Sequence, residues 1–394
     1  MIPVKQNKFQ PTVREIMMEF TKGTGLSPAM ESPRRYLWTD ACAVCNFLGL
    51  YHQAGEEIYM NLALLLVDQV HHTLGRHRGD DSRTGWISGL DEQESRWHPT
   101  QGGLRIGKEL NERGLHDPFD EGLEWDRDGQ YYHYLTKWMH ALNRVSGVTG
   151  DLAYNTWAME LAKTAHARFV YASPYSGPKR MYWKMSIDLS RPLVPSMGHH
   201  DPLDGFVTYN ELQATAGKDP EKSTGMDLRT EIAEMADICK GKSWVTDDPL
   251  GIGSLLFDAC RVAQLIVSGS LEQTGLLETL LESSLIGLEY FVKENTLDIP
   301  AGYRLAFREL GLSIGLRVIE KIQRLIEQES WSLQNRDSLY SWLKSLNRYA
   351  ELREIIETFW LERTNRESDS WIAHQDINIV MLATSLNPDG FLKL

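Results

Sequence analysis

Apolar residues recur along this chain with the period of a helix almost everywhere. In 271–290, Leu277, Leu280, Leu281 and Leu285 follow the i, i+3, i+4 rule. In 56–75, Ile58, Leu62, Leu65 and Leu66 do the same. The strict alternation that marks a half-buried strand is nearly absent. The pattern predicts about twelve or thirteen helices, near 12–22, 36–54, 56–75, 97–112, 130–147, 151–171, 204–216, 227–240, 251–268, 271–292, 302–325, 336–363 (two) and 371–385. No low-complexity linker divides them. One domain over 1–394 is expected, with 1–30 as an N-terminal segment packed on it.

A short pattern occurs twice. Residues 55–66 and 150–161 both fit G-[DE]-x-x-Y-x-x-x-A-x-x-L. Glycine ends one helix in a left-handed turn. The acidic residue favours the first turn of the next. Tyr, Ala and Leu then face the partner helix, so each copy reads as the elbow of an αα-hairpin. Short connections (QAGE, GVTGD, SGSLE) join the two helices of a hairpin, and long ones (76–97, 113–129, 172–203, 241–249, 293–300, 364–370) join hairpin to hairpin. If the hairpins close into a ring, the starts of their first helices share one face. The long loops then build a cleft there.

The elbows (Gly55 to Ala63, Gly150 to Ala158), the W-T-D of Trp38–Asp40 and the D-G-Q-Y-Y of 128–132 resemble the (α/α)6 toroid, the six-hairpin superfamily. The resemblance covers about 36–385 and is to the superfamily rather than to one family. It implies an all-α ring of about twelve helices with a funnel at the first-helix starts. The superfamily includes inverting glycoside hydrolases, unsaturated-glucuronyl hydrolases, and N-acylglucosamine and cellobiose 2-epimerases.

Composition narrows the partners. The chain is 42% hydrophobic and 24% charged, with a net charge of -13. A nucleic-acid surface needs clustered Lys and Arg, so no nucleic acid is expected. No apolar run nears the roughly 20 residues that span a bilayer, and MIPVKQNKFQ lacks the apolar core of a secretory signal. No membrane partner and a cytoplasmic location are the expectations. Cys42 and Cys45 form a CxxC inside a helical pattern and read as core thiols. His199, His200 and Asp201 are too crowded to share one ion, and no zinc motif occurs, so no metal is expected. Gly311 to Gly315 match G-x-S-x-G but lie mid-helix without a preceding strand. Gly241-Lys242-Ser243 lacks the upstream glycine of a phosphate loop. No cofactor is expected.

The candidate chemistry sits at the first-helix starts: Trp38-Thr39-Asp40, Asp126 to His133, Asp201 to Gly205, Asp247 to Gly251, Ile299 to Tyr303, and Trp371 to Asp376. Capping explains an Asp at such a place. It does not explain the added His199, His200 and His374. An inverting glycosidase needs two carboxylates about 6.5–9.5 Å apart. Asp40, Asp128, Asp201, Asp204 and Asp376 are the carboxylates on offer, with Asp204 favoured as base. A sugar 2-epimerase needs two proton-transfer groups on opposite faces of an open-chain sugar, and His200 and His374 suit that role. The catalytic candidates are therefore Asp204, Asp128, Asp40, His200 and His374. The substrate-binding candidates are Trp38, His98, Arg105, Tyr132, His199, Asp201, Asp248, Tyr303, Trp371 and Asp376. The 12 Trp and 15 Tyr include several in polar loops, where flat faces suit a sugar ring. The expected function is a carbohydrate-active enzyme: a glycoside hydrolase first, a sugar epimerase or isomerase as the alternative. A ligand-binding or scaffold toroid without catalysis is the rival from another class.

Overall fold

The computed structural model describes residues 12–172, 177, 179–218, 225–328 and 333–394. Residues 1–11 of the N-terminal segment, and 173–176 and 178 of the long connection 172–203, lie outside the described residues. The helices are α1 (Val13–Gly23), α2 (Leu37–Ala54), α3 (Glu57–Leu74), the short α4 (Glu92–Trp97) and α5 (Glu121–Asp126), α6 (Tyr132–Thr149), α7 (Leu152–Phe169), α8 (Asp201–Gly217), α9 (Arg229–Cys239), α10 (Pro249–Val267), α11 (Thr274–Lys293), α12 (Ala306–Leu316), α13 (Val318–Gln328), α14 (Leu333–Leu346), α15 (Glu351–Leu361), the short α16 (Arg363–Arg366) and α17 (Asp369–Ala373), α18 (Gln375–Leu386) and α19 (Asp389–Leu392).

Six of these helices pack side by side in the order α2, α6, α8, α10, α12, α18, and α18 returns to α2. The chain is an (α/α)6 toroid. Outer helices back the ring: α3 on α2, α7 on α6, α9 on α8, α11 on α10, α13 and α15 on α12, and α1 on α18. The inner helices are apolar nearly all round because neighbours cover every side. In α2 every residue from Thr39 to Leu50 is buried. The helix Pro249–Val267 is apolar and long enough to cross a membrane, but α8, α11 and α12 pack against it within the ring.

The elbows form as the sequence predicts. Gly55 and Gly150 take φ of 67° and 74°, and the Asp151 carboxylate accepts from the Ala153 N–H at 2.9 Å. The literal G-x-S-x-G is a packing device. A Cβ on Gly253 would overlap the Gly311 carbonyl, so small residues let α10 and α12 touch backbone to backbone.

Two stretches depart from the predicted helices. Residues 98–112 form a turn and an irregular segment, not a helix. Gly103 and Gly107 have φ of 76° and 93°, and a Cβ on Gly107 would strike the Arg35 carbonyl. The Ile106 N–H donates to Gly129 O (2.8 Å), and Ile106 O accepts from the Leu37 N–H (3.0 Å). This segment therefore ties the starts of α2 and α6 together, a tertiary role that local periodicity does not report. The predicted 302–325 helix breaks at Arg317. Residues 306–316 are buried on nearly every side, while Val318, Ile319, Ile322 and Ile326 form a single inward stripe. The first piece belongs inside the ring and the second outside. Short strands also appear in the long loop after α7. Lys184–Met185 pairs antiparallel with Gln130–Tyr131 on one side and Pro192–Val194 on the other.

The ring is closed at the end opposite the helix starts. There α19 packs on α2, α6 and α10, and Phe391 stacks on Phe257 with centroids 4.4 Å apart. Above it lies a buried charged cluster. Arg261 on α10 is fully excluded from water. It donates to Asp204 (2.6 Å), Asp258 (2.5 Å), Glu211 (3.3 Å) and the Thr208 hydroxyl (2.8 Å). Lys137 on α6 reaches Asp204 at 2.9 Å. His140 bridges Glu211 (2.8 Å) to the Phe391 carbonyl (2.9 Å). Removing one partner of a buried ion pair leaves an uncompensated charge. Arg261→Met is expected to lower stability by about 3–5 kcal/mol in urea titrations. A loss within error of zero would mean the cluster does not hold these helices together.

Candidate active site

A cavity of 1240 Å³ opens at the first-helix starts. Each inner helix presents its first turn there: Asp40 from α2, His133 and Lys137 from α6, Asp201 and Asp204 from α8, Asp248 and Gly251 beside α10, Phe307 and Arg308 from α12, and His374 and Asp376 beside α18. In ring order α8 and α18 are three places apart. His200 and His374, which precede those helices, therefore stand on opposite walls.

The carboxylates differ sharply in environment. Asp204 accepts from Arg261, from Lys137 and from the Thr136 hydroxyl. Burial raises its pKa, but these cations and donors hold that pKa well below the usual carboxylate range. Asp201, one turn earlier, is buried, and its Oδ2 has no partner. Burial, then the Asp204 charge, push it up to about 7. Below about pH 7, two carboxyls three residues apart thus hold opposite protonation states. Asp258 is raised by burial despite Arg261. Asp40 is raised to about 6 by burial, with Arg35 at 3.2 Å opposing.

Three of the histidines hold protons less tightly than usual. Burial lowers His133 and His200 to about 4, aided by Lys137 and His199 respectively. His374 is lowered by burial and by the Lys108 charge. The His200 Nε2–H donates to the Trp244 carbonyl at 3.3 Å. His133 is wedged in an aromatic wall. It stacks on Tyr131 and Trp183, at 5.5 and 6.4 Å between centroids. Its Nδ1 lies 3.8 Å from Asp201 Oδ1 and has no hydrogen-bond partner. Trp38 touches His133, Tyr134 and Phe307, so it links the α2, α6 and α12 walls.

Several sequence candidates stand elsewhere or are already engaged. Asp128 does not line the cavity: it is buried behind the wall and accepts from Arg105 (2.5 Å) and Arg78 (3.2 Å). Arg105 reaches the lining but spends its other donors on the Arg76 and Thr73 carbonyls. His98 pairs with Glu160 at 2.5 Å outside the cavity, and Tyr132 donates to Tyr209 in the core. Trp371 lies against Trp360. Tyr303 is 83% exposed and away from the lining. Asp248 caps Gly251 (3.1 Å) and pairs with Arg308 (2.7 Å), and Asp376 pairs with Arg34 (3.3 Å). Trp38, His199, His200, Asp201, Asp204, Asp40 and His374 do meet in the lining. His133, Lys137, Lys108, Trp183 and Phe307 join them there, although the helix starts alone do not single them out as site residues. His133, Thr136 and Lys137 share one helix face directly after D-G-Q-Y-Y, a period that could have flagged them.

No protein-family model matches the sequence, and no curated protein matches it. Solved structures similar to the chain include cellobiose 2-epimerase from Spirochaeta thermophila DSM 6192, 13% identical, with 97% of this chain and 99% of that one covered and a TM-score of 0.48. Cellobiose 2-epimerase from Bacillus thermoamylovorans B4167 is 10% identical over 80% of this chain and 76% of its own, at a TM-score of 0.45. A sugar epimerase from a ruminal bacterium is 9% identical over 86% of each chain, at a TM-score of 0.44.

The raised pKa of Asp201 has a measurable sign. Its carboxyl keeps a proton in the fold up to about pH 7 but loses it near pH 4 when unfolded. Its contribution to stability is complete below pH 4 and is lost as pH rises to about 7. Asp201→Asn removes that dependence. Between pH 4.5 and 7.5 the variant should gain on the parent in urea unfolding, with a slope of at most about 1.4 kcal/mol for each pH step of one. Parallel curves for the two proteins would contradict a protonated Asp201.

Proposed function

We propose that the chain is a carbohydrate-active enzyme of the epimerase or isomerase type. On this reading it removes a proton from the carbon next to a sugar carbonyl and returns one from the other face. The observation that carries it is the pairing of a neutral base with a protonated acid across one funnel. His374 on the α18 wall has a lowered affinity for protons, and Asp201 on the α8 wall a raised one. In this scheme the C2–H bond breaks and its proton passes to a ring nitrogen of His374. The electron pair becomes the C1–C2 double bond, and the carbonyl pair moves onto O1. Asp201 then delivers its proton to C2 from the opposite side, and the carbonyl re-forms. Both groups reset by exchange with water. His200 and His133 flank Asp201, and the faces of Trp38, Trp183 and Phe307 offer apolar surface to the sugar ring.

The hydrolase reading needs a second, ionised carboxylate free to act. Of the five aspartates considered for it, Asp40, Asp128, Asp204 and Asp376 are held by arginine or lysine, which leaves Asp201 alone. The test is proton NMR in deuterated water with free aldoses and disaccharides. Loss of the H2 signal with a second sugar appearing supports epimerisation. Shorter sugars with new anomeric signals would overturn it in favour of hydrolysis. His374→Ala and Asp201→Asn should each lower kcat about 10²–10⁴-fold while the circular dichroism spectrum is unchanged. Activity should hold below the ordinary histidine range and fall as pH rises past about 7, where Asp201 ionises.

A further inference from the structure

Six cationic side chains line the cavity: Arg34, Arg35, Arg105, Lys108, Lys137 and Arg308. Five have a carboxylate within ion-pair distance. Arg34 has Asp376, Arg35 has Asp40, Arg105 has Asp128, Lys137 has Asp204, and Arg308 has Asp248. The Lys108 ammonium makes no hydrogen bond or ion pair with any described residue. It lies 5.4 Å from the centroid of the Tyr36 ring, and Tyr36 is the residue before α2. The backbone fixes Lys108 there. Gly107 turns the chain at positive φ against Arg35, directly after Ile106 has fastened the segment between α2 and α6. The Lys108 charge is felt at His374, which stands at the other side of the α2 start. The acidic groups that face Lys108 are Asp126, Asp128 and Glu109, and each acts at longer range than an ion pair. A half-buried ammonium without an ion pair has given up hydration for only the face of Tyr36 and carboxylates at longer range. Such a group is a preorganised positive site, worth most where negative charge appears only during reaction.

Resting on the reading given above, we propose that Lys108 is a catalytic residue that takes the charge formed on the sugar O1 when His374 removes the C2 proton. The carbonyl carries little charge before the step and a full negative charge after it. The ammonium therefore binds the intermediate, and the transition state leading to it, far better than the substrate. The proton stays on His374 and Lys108 stays protonated, so no further reactant is required.

The experiment compares the wild-type protein with K108M and K108R under saturating sugar, using the substrate found in the NMR panel. K108M should lower kcat about 10²–10³-fold with KM within a few-fold, the size seen when one oxyanion donor is removed. K108R should recover part of the loss. Raised KM with unchanged kcat would overturn the proposal, since Lys108 would then hold a group already present in the substrate. Unchanged kinetics would overturn it outright. A second readout needs no substrate: the His374 titration, followed by its ring proton signals, should move up in K108M, and a static His374 would remove Lys108 from its neighbourhood. If the wild-type protein turns over no sugar while His374 still responds, the functional reading fails and takes the catalytic role with it, while the placement of Lys108 stands.

Discussion

A guanidinium sealed from water has to be met by carboxylates, and Arg261 meets three of them on two helices. This constraint organises the ring. Asp204 and Glu211 come from α8, Asp258 shares α10 with Arg261, and Lys137 and His140 add α6. Three adjacent inner helices are thus tied together by charge as well as by apolar packing. The same cluster shapes the chemistry above it. Its cations keep Asp204 ionised, and the Asp204 charge, added to burial, keeps the proton on Asp201. Structural and catalytic electrostatics are continuous here. A change to the floor of the funnel alters the proton affinity of its wall.

Much of the architecture was legible in the sequence because hairpin elbows are local. Gly55 and Gly150 need only their own turns to be read, and the alternation of short and long connections already implies one face rich in loops. The (α/α)6 ring is what the resemblance carried by these elbows implies. The departures arise where a residue answers to a distant partner. Residues 98–112 carry apolar spacing that suits a helix, yet Gly103 and Gly107 take left-handed conformations so that the segment can bond to α2 and α6. The break at Arg317 depends on which part of a long apolar pattern faces the inside of the ring.

The site was legible in outline and not in its roles. The first-helix starts bring Asp40, His200, Asp201, Asp204, Asp248, His374 and Asp376 into one cavity. Spacing could not say that Asp204 is bound by three donors while Asp201 next to it has a free oxygen. The difference comes from Lys137 on α6 and from Arg261, 57 residues further on in a stretch that reads as plain core. Lys108 was invisible for the opposite reason. What distinguishes it is a missing partner, and a sequence displays residues rather than their unmet contacts.

The closure of α18 onto α2 has a kinetic side. The Asn46 side-chain amide donates to the Val380 carbonyl across 334 residues of sequence. Closing so long a span adds little entropy beyond a shorter loop, because the cost grows only as a logarithm. It does fix the order of events. A chain emerging from the ribosome forms its early hairpins from local contacts, but the inner face of α2 stays uncovered until α18 has been made. The ring is therefore a structure whose first helix waits for one of its last, and its apolar interior is most vulnerable to association with other chains during that interval.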